Sequence, residues 1–222
     1  NYMRKKGVTI DICNENSADY SKYNIIHLFN LTRISETYVH FKNAKKSKRP
    51  VVITPIYWSL KKYYLQINCA ARQKLWEEYK QFRSEILNGC HMIYPASRAE
   101  LEMLKSEHGK HLPFKIIYNC IETKKWRPLP FGNNTKPYIL CAARVTPRKN
   151  QLALAKVCGE LNESLILAGK ADNKNYLTEC LKLKNVLHID FLSQNKLIAL
   201  YKGAKLHVLC SFVETPGLSS LE

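Results

Sequence analysis

The chain has 222 residues, with 35 Lys and Arg against 18 Asp and Glu, for a formal net charge of +17. Hydrophobic residues make up 45% and charged residues 24%, a globular composition that excludes a disordered chain and is long enough for one or two domains. No apolar run reaches the roughly 20 residues that cross a bilayer, residues 1–7 show no signal-peptide pattern, and position 1 is Asn rather than Met, which points to a segment of a longer protein.

Short runs rich in Val, Ile and Leu alternate with longer amphipathic stretches, the pattern of a mostly parallel α/β sheet. In the first half, strands are expected at Val8–Cys13, Ile25–Leu28, Val51–Thr54, Met92–Tyr94 and Lys115–Tyr118. Helices are expected over Ser35–Lys46, Ser59–Leu87 with a break near Asn68, and Arg98–Glu107. Ser97, with Glu100 three residues on, reads as a capping box for the last of these. Residues 119–137 hold Pro128, Pro130, Gly132, Asn133, Asn134 and Pro137, a density of chain breakers that marks a linker. Alternation then resumes with strand Tyr138–Ala142, helix Gln151–Leu161 with Asn150 as N-cap, and strand Ser164–Ala168 ending at Gly169. Helix Asn175–Leu183 and strand Val186–Ile189 follow. Ser193 caps a helix that places Leu197, Ile198, Tyr201 and Ala204 on one face. Strand Leu206–Leu209 and a helix just starting complete the chain.

The eight cysteines, at positions 13, 69, 90, 120, 141, 158, 180 and 210, form no CxxC pair and read as reduced, buried core thiols of a cytosolic protein. The charge points to an anionic partner. It is spread over both halves, +10 in residues 1–120 and +7 in residues 121–222, rather than packed into an arm that would grip nucleic acid. The densest patch, Lys42–Arg49, reads as a solvated helix end before a strand, with phosphate or membrane contact as the alternative.

Two loops at the C-terminal ends of second-half strands carry the candidate chemistry, and that edge of an open α/β sheet is where ligands bind. The first is Arg144–Asn150, in which Arg144 can grip phosphate oxygens bidentately and Lys149 adds a point charge. The second is Ser211–Glu222. Pro216 sits near a first helical position, which leaves the N–H groups of Gly217, Leu218 and Ser219 as helix-start donors for a phosphate. Glu214 and Glu222 flank this turn, Glu222 about one and a half turns into the helix, where its carboxylate can accept hydrogen bonds from a ribose diol. Tyr57 or Trp58 could stack on a sugar, though strand-end aromatics are more often packing residues. His27, His188 and His207 read as structural.

The segments AARVTPRKNQ, LILAG, HIDFLS and LIALYKGAKLHVLCSFVETPGLSSLE, in that order, resemble the donor half of a family 4 glycosyltransferase of the GT-B fold (glycosyl transferases group 1), with its G-R-x(4)-K segment and E-x7-E motif. IYPASRAELEMLKSEHG and IIYNCIETKKWRPLP resemble the acceptor half more weakly. The resemblance implies two Rossmann-like domains with mostly parallel sheets, both incomplete here. Residues 1–124 would form the acceptor side without its first strand, 125–137 the linker, and 138–222 the donor side without its C-terminal part. It implies a retaining transfer from a nucleotide-diphospho-sugar to a glycan or lipid-linked acceptor, in the cytoplasm or peripherally on an anionic membrane, as in surface polysaccharide or glycoconjugate synthesis. Arg144 and Lys149 would stabilise the leaving diphosphate, with help from the amides of Gly217 and Leu218. Glu214 would lie at the donor sugar, Glu222 at the ribose and the base near Phe191–Leu192. No metal or other cofactor is expected, because the protein supplies the positive charge. The chain departs from the family pattern at Cys120 and Ala143, where Gly is usual, and at Pro55–Trp58, where many members carry a His. A GT-B nucleotide-sugar epimerase, and less favourably a basic nucleic-acid-binding module, are the alternatives.

Overall fold

The computed structural model describes residues 3–109, 111–126, 137–215 and 217–222. Most of the expected linker, residues 127–136, therefore lies outside the described residues. The chain divides into two units, one of residues 1–61 and 69–118, the other of residues 62–68 and 119–222.

In the first unit the elements run β1 (Ile26–Phe29), α1 (Ile34–Lys46), β2 (Val51–Thr54), α2 (Lys61–Gln66), α3 (Ala70–Glu78), α4 (Lys80–Gly89), β3 (Met92–Ile93) and α5 (Arg98–His108), with α2 passing into the second unit. The strands pair in parallel in the order β1-β2-β3. Val51, Val52 and Ile53 are all buried, as the unbroken apolar run of β2 predicts for a strand at the centre of a sheet. Phe41, Ile86, Leu87, Leu101 and Leu104 bury the inward faces of α1, α4 and α5. The expected break in the long middle helix falls at Asn68, which takes a left-handed backbone.

Two strand expectations fail here. Val8–Cys13 alternates like a strand but forms none, and Ile12 is 89% exposed. A strand needs a ladder partner, and the described residues give this segment none. Lys115–Tyr118 runs beside β3, donating Lys115 N–H to the Ile93 carbonyl and Ile117 N–H to the Pro95 carbonyl, both at 2.9 Å, without becoming a full strand.

The capping box at α5 is half realised. Ser97 Oγ accepts from Glu100 N at 3.1 Å. The buried Glu100 carboxylate, however, accepts from Ala96 N and from Tyr57 N, both at 2.6 Å, instead of returning to Ser97. It thereby ties the loop after β2 to the start of α5. Tyr57 is fully buried, stacks on Trp76 and donates its hydroxyl to Glu107, so it is a core residue and not a sugar platform. Arg83, equally buried, lies over the same Trp76 ring. Burial, reinforced by the Arg83 charge, pulls the His108 imidazole down from 6.5 to about 4.

Between about pH 6.5 and 4, His108 is therefore largely neutral in the folded state while the unfolded chain is largely protonated. The unfolded state binds the extra proton between about pH 6.5 and 4, so stability falls as pH drops through that window, by roughly 2–3 kcal/mol in total. Denaturant unfolding measured from pH 7 to pH 4 should show this loss, and His108→Gln should flatten it.

The second unit continues with β4 (Tyr138–Ala142), α6 (Gln151–Glu160), β5 (Leu165–Ala168), α7 (Lys174–Leu181), β6 (Val186–Ile189), α8 (Gln194–Gly203), β7 (Ala204–His207) and the single turn α9 (Leu218–Leu221). All pairings are parallel, in the order β6-β5-β4-β7. One face of the sheet packs Ile139, Cys141, Leu165 and Leu167 against Ala155, Cys158 and Cys180 of α6 and α7. The other packs Leu140, Ala142 and Ala168 against Leu197, Leu200 and Tyr201 of α8. Full burial of each large aliphatic side chain contributes about 1.5–3 kcal/mol, which makes β4 and β5 the anchor of the unit.

Helix starts differ in detail from the sequence expectation. Asn150 does precede α6, but with φ of 59° and no capping bond from its side chain, because it closes the 3-10 turn Pro147–Lys149 in left-handed geometry. Ser193 precedes α8 without a side-chain cap. Asn173 supplies a cap the sequence reading missed, its side chain accepting from Tyr176 N at 2.9 Å.

Candidate functional site

The chain leaves β4 for β5 and β6 on one side, then returns through α8 to place β7 on the other side of β4. The strand order thus reverses at β4, and at the C-terminal edge of such a switch point open α/β sheets bind their ligands. The two loops singled out from the sequence are those after β4 and β7.

They clasp each other. Phe212 N donates to the Arg148 carbonyl at 3.0 Å, and Arg148 Nη1 donates to the Val213 carbonyl at 2.9 Å. Inside this clasp Lys149 Nζ pairs with Glu214 Oε1, which also accepts from Ser211 Oγ. Lys149 and Glu214 are only 15% and 25% exposed, so the pair is shielded from solvent. Cys210 leaves β7 beside them and donates to the Lys149 carbonyl at 3.3 Å. A hydrogen bond from Cys141, joined by the Lys149 charge, pulls Cys210 down to about 7.

Arg144 is placed differently. Its guanidinium is 67% exposed and bonds Asp172 Oδ2 at 3.2 Å, from the loop after β5. An exposed pair of this kind is worth about 0–1 kcal/mol, so a phosphate can take over the guanidinium at little cost. The main chain beneath it is fixed: Val145 N bonds the Lys170 carbonyl at 2.9 Å, Asp172 N bonds the Val145 carbonyl at 3.2 Å, and the fully buried Gln151 donates Nε2 to the Arg144 carbonyl at 2.8 Å. Gln151 and Asp172 escaped the sequence reading. An isolated Gln at a helix start carries no motif, and the Asp172 contact spans 28 residues.

Gly217 precedes α9, and a Cβ there would collide with Leu209. Leu218 and Ser219 open the turn, with Ser220 N bonding the Gly217 carbonyl at 2.9 Å. Pro216 lies outside the described residues. The helical register carries on to Glu222, whose N–H donates to the Leu218 carbonyl at 3.1 Å, four residues back. Burial raises the Glu222 carboxyl above its ordinary value. Phe191, after β6, is 84% exposed, whereas Leu192 packs into the core beneath α8. His188 donates or accepts at the Gly169 carbonyl, 2.8 Å away, a structural placement.

The thiols divide more evenly than expected. All eight are free; Cys90, Cys141, Cys158 and Cys180 are buried, Cys13, Cys69 and Cys210 are half-buried, and Cys120 is exposed. Among the described residues no group of three or more His, Cys, Asp or Glu could hold a metal ion, and no helix is long and apolar enough to cross a membrane.

Residues 122–222 match the family model described as glycosyl transferases group 1. The fold is the α/β fold of GT-B glycosyltransferases, each of its two parallel-sheet units only partly present. Sucrose-phosphate synthase from Thermosynechococcus elongatus superposes with a TM-score of 0.72 at 19% identity, over 89% of this chain and 52% of that one. Anabaena HepE in complex with UDP and glucose gives 0.70 at 15% identity, over 90% and 56%. The UDP-forming α,α-trehalose-phosphate synthase from Burkholderia xenovorans, in complex with glucose-6-phosphate, gives 0.62 at 11% identity, over 89% and 54%. The chain thus spans about half the length of these structures. A comparison with the curated proteins finds no match.

One glycine carries the stitching of the loops. Gly169 has φ of 141°, and a Cβ there would lie 2.5 Å from the Ala143 carbonyl oxygen, a backbone atom that cannot swing aside. Gly169→Ala should lower unfolding stability by more than about 2 kcal/mol, from left-half backbone strain plus the clash. Chemical denaturation of the variant against wild type checks this.

Proposed function

We propose that the protein is a retaining glycosyltransferase that moves a sugar, hexosyl in type, from a nucleotide-diphospho-sugar to a glycan or lipid-linked acceptor, in surface polysaccharide or glycoconjugate synthesis in the cytoplasm. The observation that carries this reading is the convergence of Lys149 and Glu214 at the β4/β7 reversal, with Arg144 leaving the same strand. The match of residues 122–222 and the UDP and glucose held by HepE support a nucleotide-sugar donor.

The chemistry follows from the charges. Departure of a nucleoside diphosphate builds negative charge on its oxygens. Fixed cations aimed at that charge lower the barrier because they need no reorganisation during the reaction. Lys149, held in place by Glu214, supplies one such charge at low exposure. Arg144 supplies the second by exchanging Asp172 for a phosphate oxygen. The amides of Gly217 and Leu218 add donors, and Glu214 borders the donor sugar. Glu222 accepts from the ribose hydroxyls, and the exposed Phe191 ring beside Leu192 gives the base a surface to stack on. In this scheme the protein's cations fill the role a divalent metal plays elsewhere.

A thermal-shift titration with UDP, GDP, ADP and tripolyphosphate tests the donor site. One nucleoside diphosphate should stabilise the protein well beyond tripolyphosphate; equal shifts from all four would leave only a basic surface. Lys149→Ala removes a phosphate contact and strands the shielded Glu214, so affinity for that nucleotide should fall about 10–100-fold. Incubation with the nucleotide sugar alone separates transferase from epimerase, since only an epimerase converts the donor without an acceptor.

The membrane reading rests on the end of α1. Lys45, Lys46 and Lys48 are exposed there, while Lys42 is drawn to Glu85 at 3.4 Å and Arg49 turns inward to the Ser21 carbonyl. Each basic residue near an anionic bilayer is worth about 1 kcal/mol. Reversing the three exposed lysines to Glu should abolish sedimentation with phosphatidylserine vesicles; unchanged sedimentation would remove the membrane from the proposal.

A further inference from the structure

Two thiols meet beneath the loop clasp. Cys141 lies in β4, and its side chain enters the core between the sheet and α6, in the same cluster as Val145, Ala155 and Val208. The chain runs on beside β4 past the end of β7, with Val208 N donating to the Leu140 carbonyl at 2.9 Å. Alternation then carries Cys210, two residues beyond Val208, onto the same face. Cys210 Sγ sits 3.3 Å from the Lys149 carbonyl oxygen and 3.5 Å from that of Asn150, in hydrogen-bond contact with the Cys141 thiol. Cys158 and Cys180 share this core, but the sulfur that Cys210 meets is that of Cys141.

The two thiols are unequal. Cys141 is 1% exposed, and its bond to Cys210, together with burial, holds its proton in place. Cys210 is half-buried, and the bond from Cys141, with the Lys149 charge, pulls it down to about 7. One sulfur is thus the accessible nucleophile and the other stands behind it, dry and protonated. Cys210 also lies past the regular end of β7, where the backbone can shift to bring the sulfurs to the roughly 2.05 Å of a disulfide.

We propose that Cys210 and Cys141 form a peroxide-reactive dithiol: Cys210 attacks hydrogen peroxide, Cys141 resolves the product, and the resulting disulfide loosens the clasp that carries Lys149. In the first step the Cys210 thiolate attacks one peroxide oxygen. An S–O bond forms, the O–O bond breaks, and the departing hydroxide takes a proton to become water. The sulfur is oxidised by two electrons to a sulfenic acid. In the second step Cys141 attacks that sulfur. The S–S bond forms, the S–O bond breaks, and the Cys141 proton leaves with the hydroxide as a second water. The disulfide has no S–H to give, so the carbonyls of Lys149 and Asn150 lose their Cys210 donor. Nothing in these steps depends on what the crevice binds.

The test treats the full chain with equimolar hydrogen peroxide, caps free thiols with N-ethylmaleimide and digests without reduction for mass spectrometry. The peptides carrying Cys141 and Cys210 should be joined, two hydrogens lighter than their sum, and should separate with dithiothreitol. In Cys141→Ala, dimedone should trap the sulfenic acid on Cys210; in Cys210→Ala it should leave Cys141 unlabelled. The Phe212 amide, bonded to the Arg148 carbonyl, should exchange hydrogen about 2–5-fold faster in the disulfide form by NMR, the scale of one weak hydrogen bond. Oxidation of the exposed Cys120 with Cys210 left as a free thiol overturns the proposal. So does pairing of Cys210 with any other cysteine, or a Cys141–Cys210 disulfide that leaves Phe212 exchange unchanged. The wild-type mapping decides the first two of these even where a variant does not fold.

Discussion

The reversal of strand order at β4 is the constraint on which the second unit depends. β4 is paired on both sides, by β5 and β7, and buried on both faces. A strand so enclosed can carry no charge within its length, so its chemistry has to begin where it ends, at Ala143 and Arg144. Strands β5 and β7 flank β4 on opposite sides, so the strand order changes direction at its C-terminal end, the opening at which such sheets bind ligands. Arg144, Lys149 and Glu214 stand at that opening as a consequence of topology, and their exposure follows from how far each loop is clasped.

The strands that the sequence showed most plainly were those buried on two faces. Val51–Thr54 and Tyr138–Ala142 appear with the boundaries their apolar runs predict, as does the more exposed edge strand Val186–Ile189. Val8–Cys13 misled because alternation reports which residues could face a core, not whether a neighbouring strand exists. Asn150 misled more subtly. The residue type suits an N-cap, but the 3-10 turn before it imposes a left-handed backbone, and the same residue type tolerates that geometry as well. Motif spacing made Lys149 and Glu214 visible as separate charges. Their ion pair links positions 65 residues apart and was not legible. The same holds for Asp172, whose bond to Arg144 spans 28 residues.

The first unit shows another use of buried polarity. Tyr57 and Arg83 pack on Trp76, and Glu100 and His108 lie against Tyr57, in a region the sequence presented as a strand end followed by an amphipathic helix. Glu100 binds the loop after β2 through the Tyr57 amide and the loop after β3 through the Ala96 amide, so one carboxylate on α5 ties the two loops together. Breaking such a set by removing one member leaves the others buried without partners, a cost of about 1–3 kcal/mol for each stranded group.

The carboxylate partners of the two site cations bear on how the protein meets a salty medium. A surplus of +17 attracts polyanions over a range that salt shortens, from a Debye length of about 30 Å at 0.01 M to about 8 Å at 0.15 M. Lys149 and Arg144 each face a tethered counterion of the chain itself, Glu214 and Asp172. The Lys149–Glu214 pair is shielded from solvent, so dissolved ions compete for it less than for the exposed Arg144–Asp172 pair. The built-in partners thereby set these two cations apart from the basic surface around them. Diffuse attraction is screened away as salt rises, while the shielded pair holds.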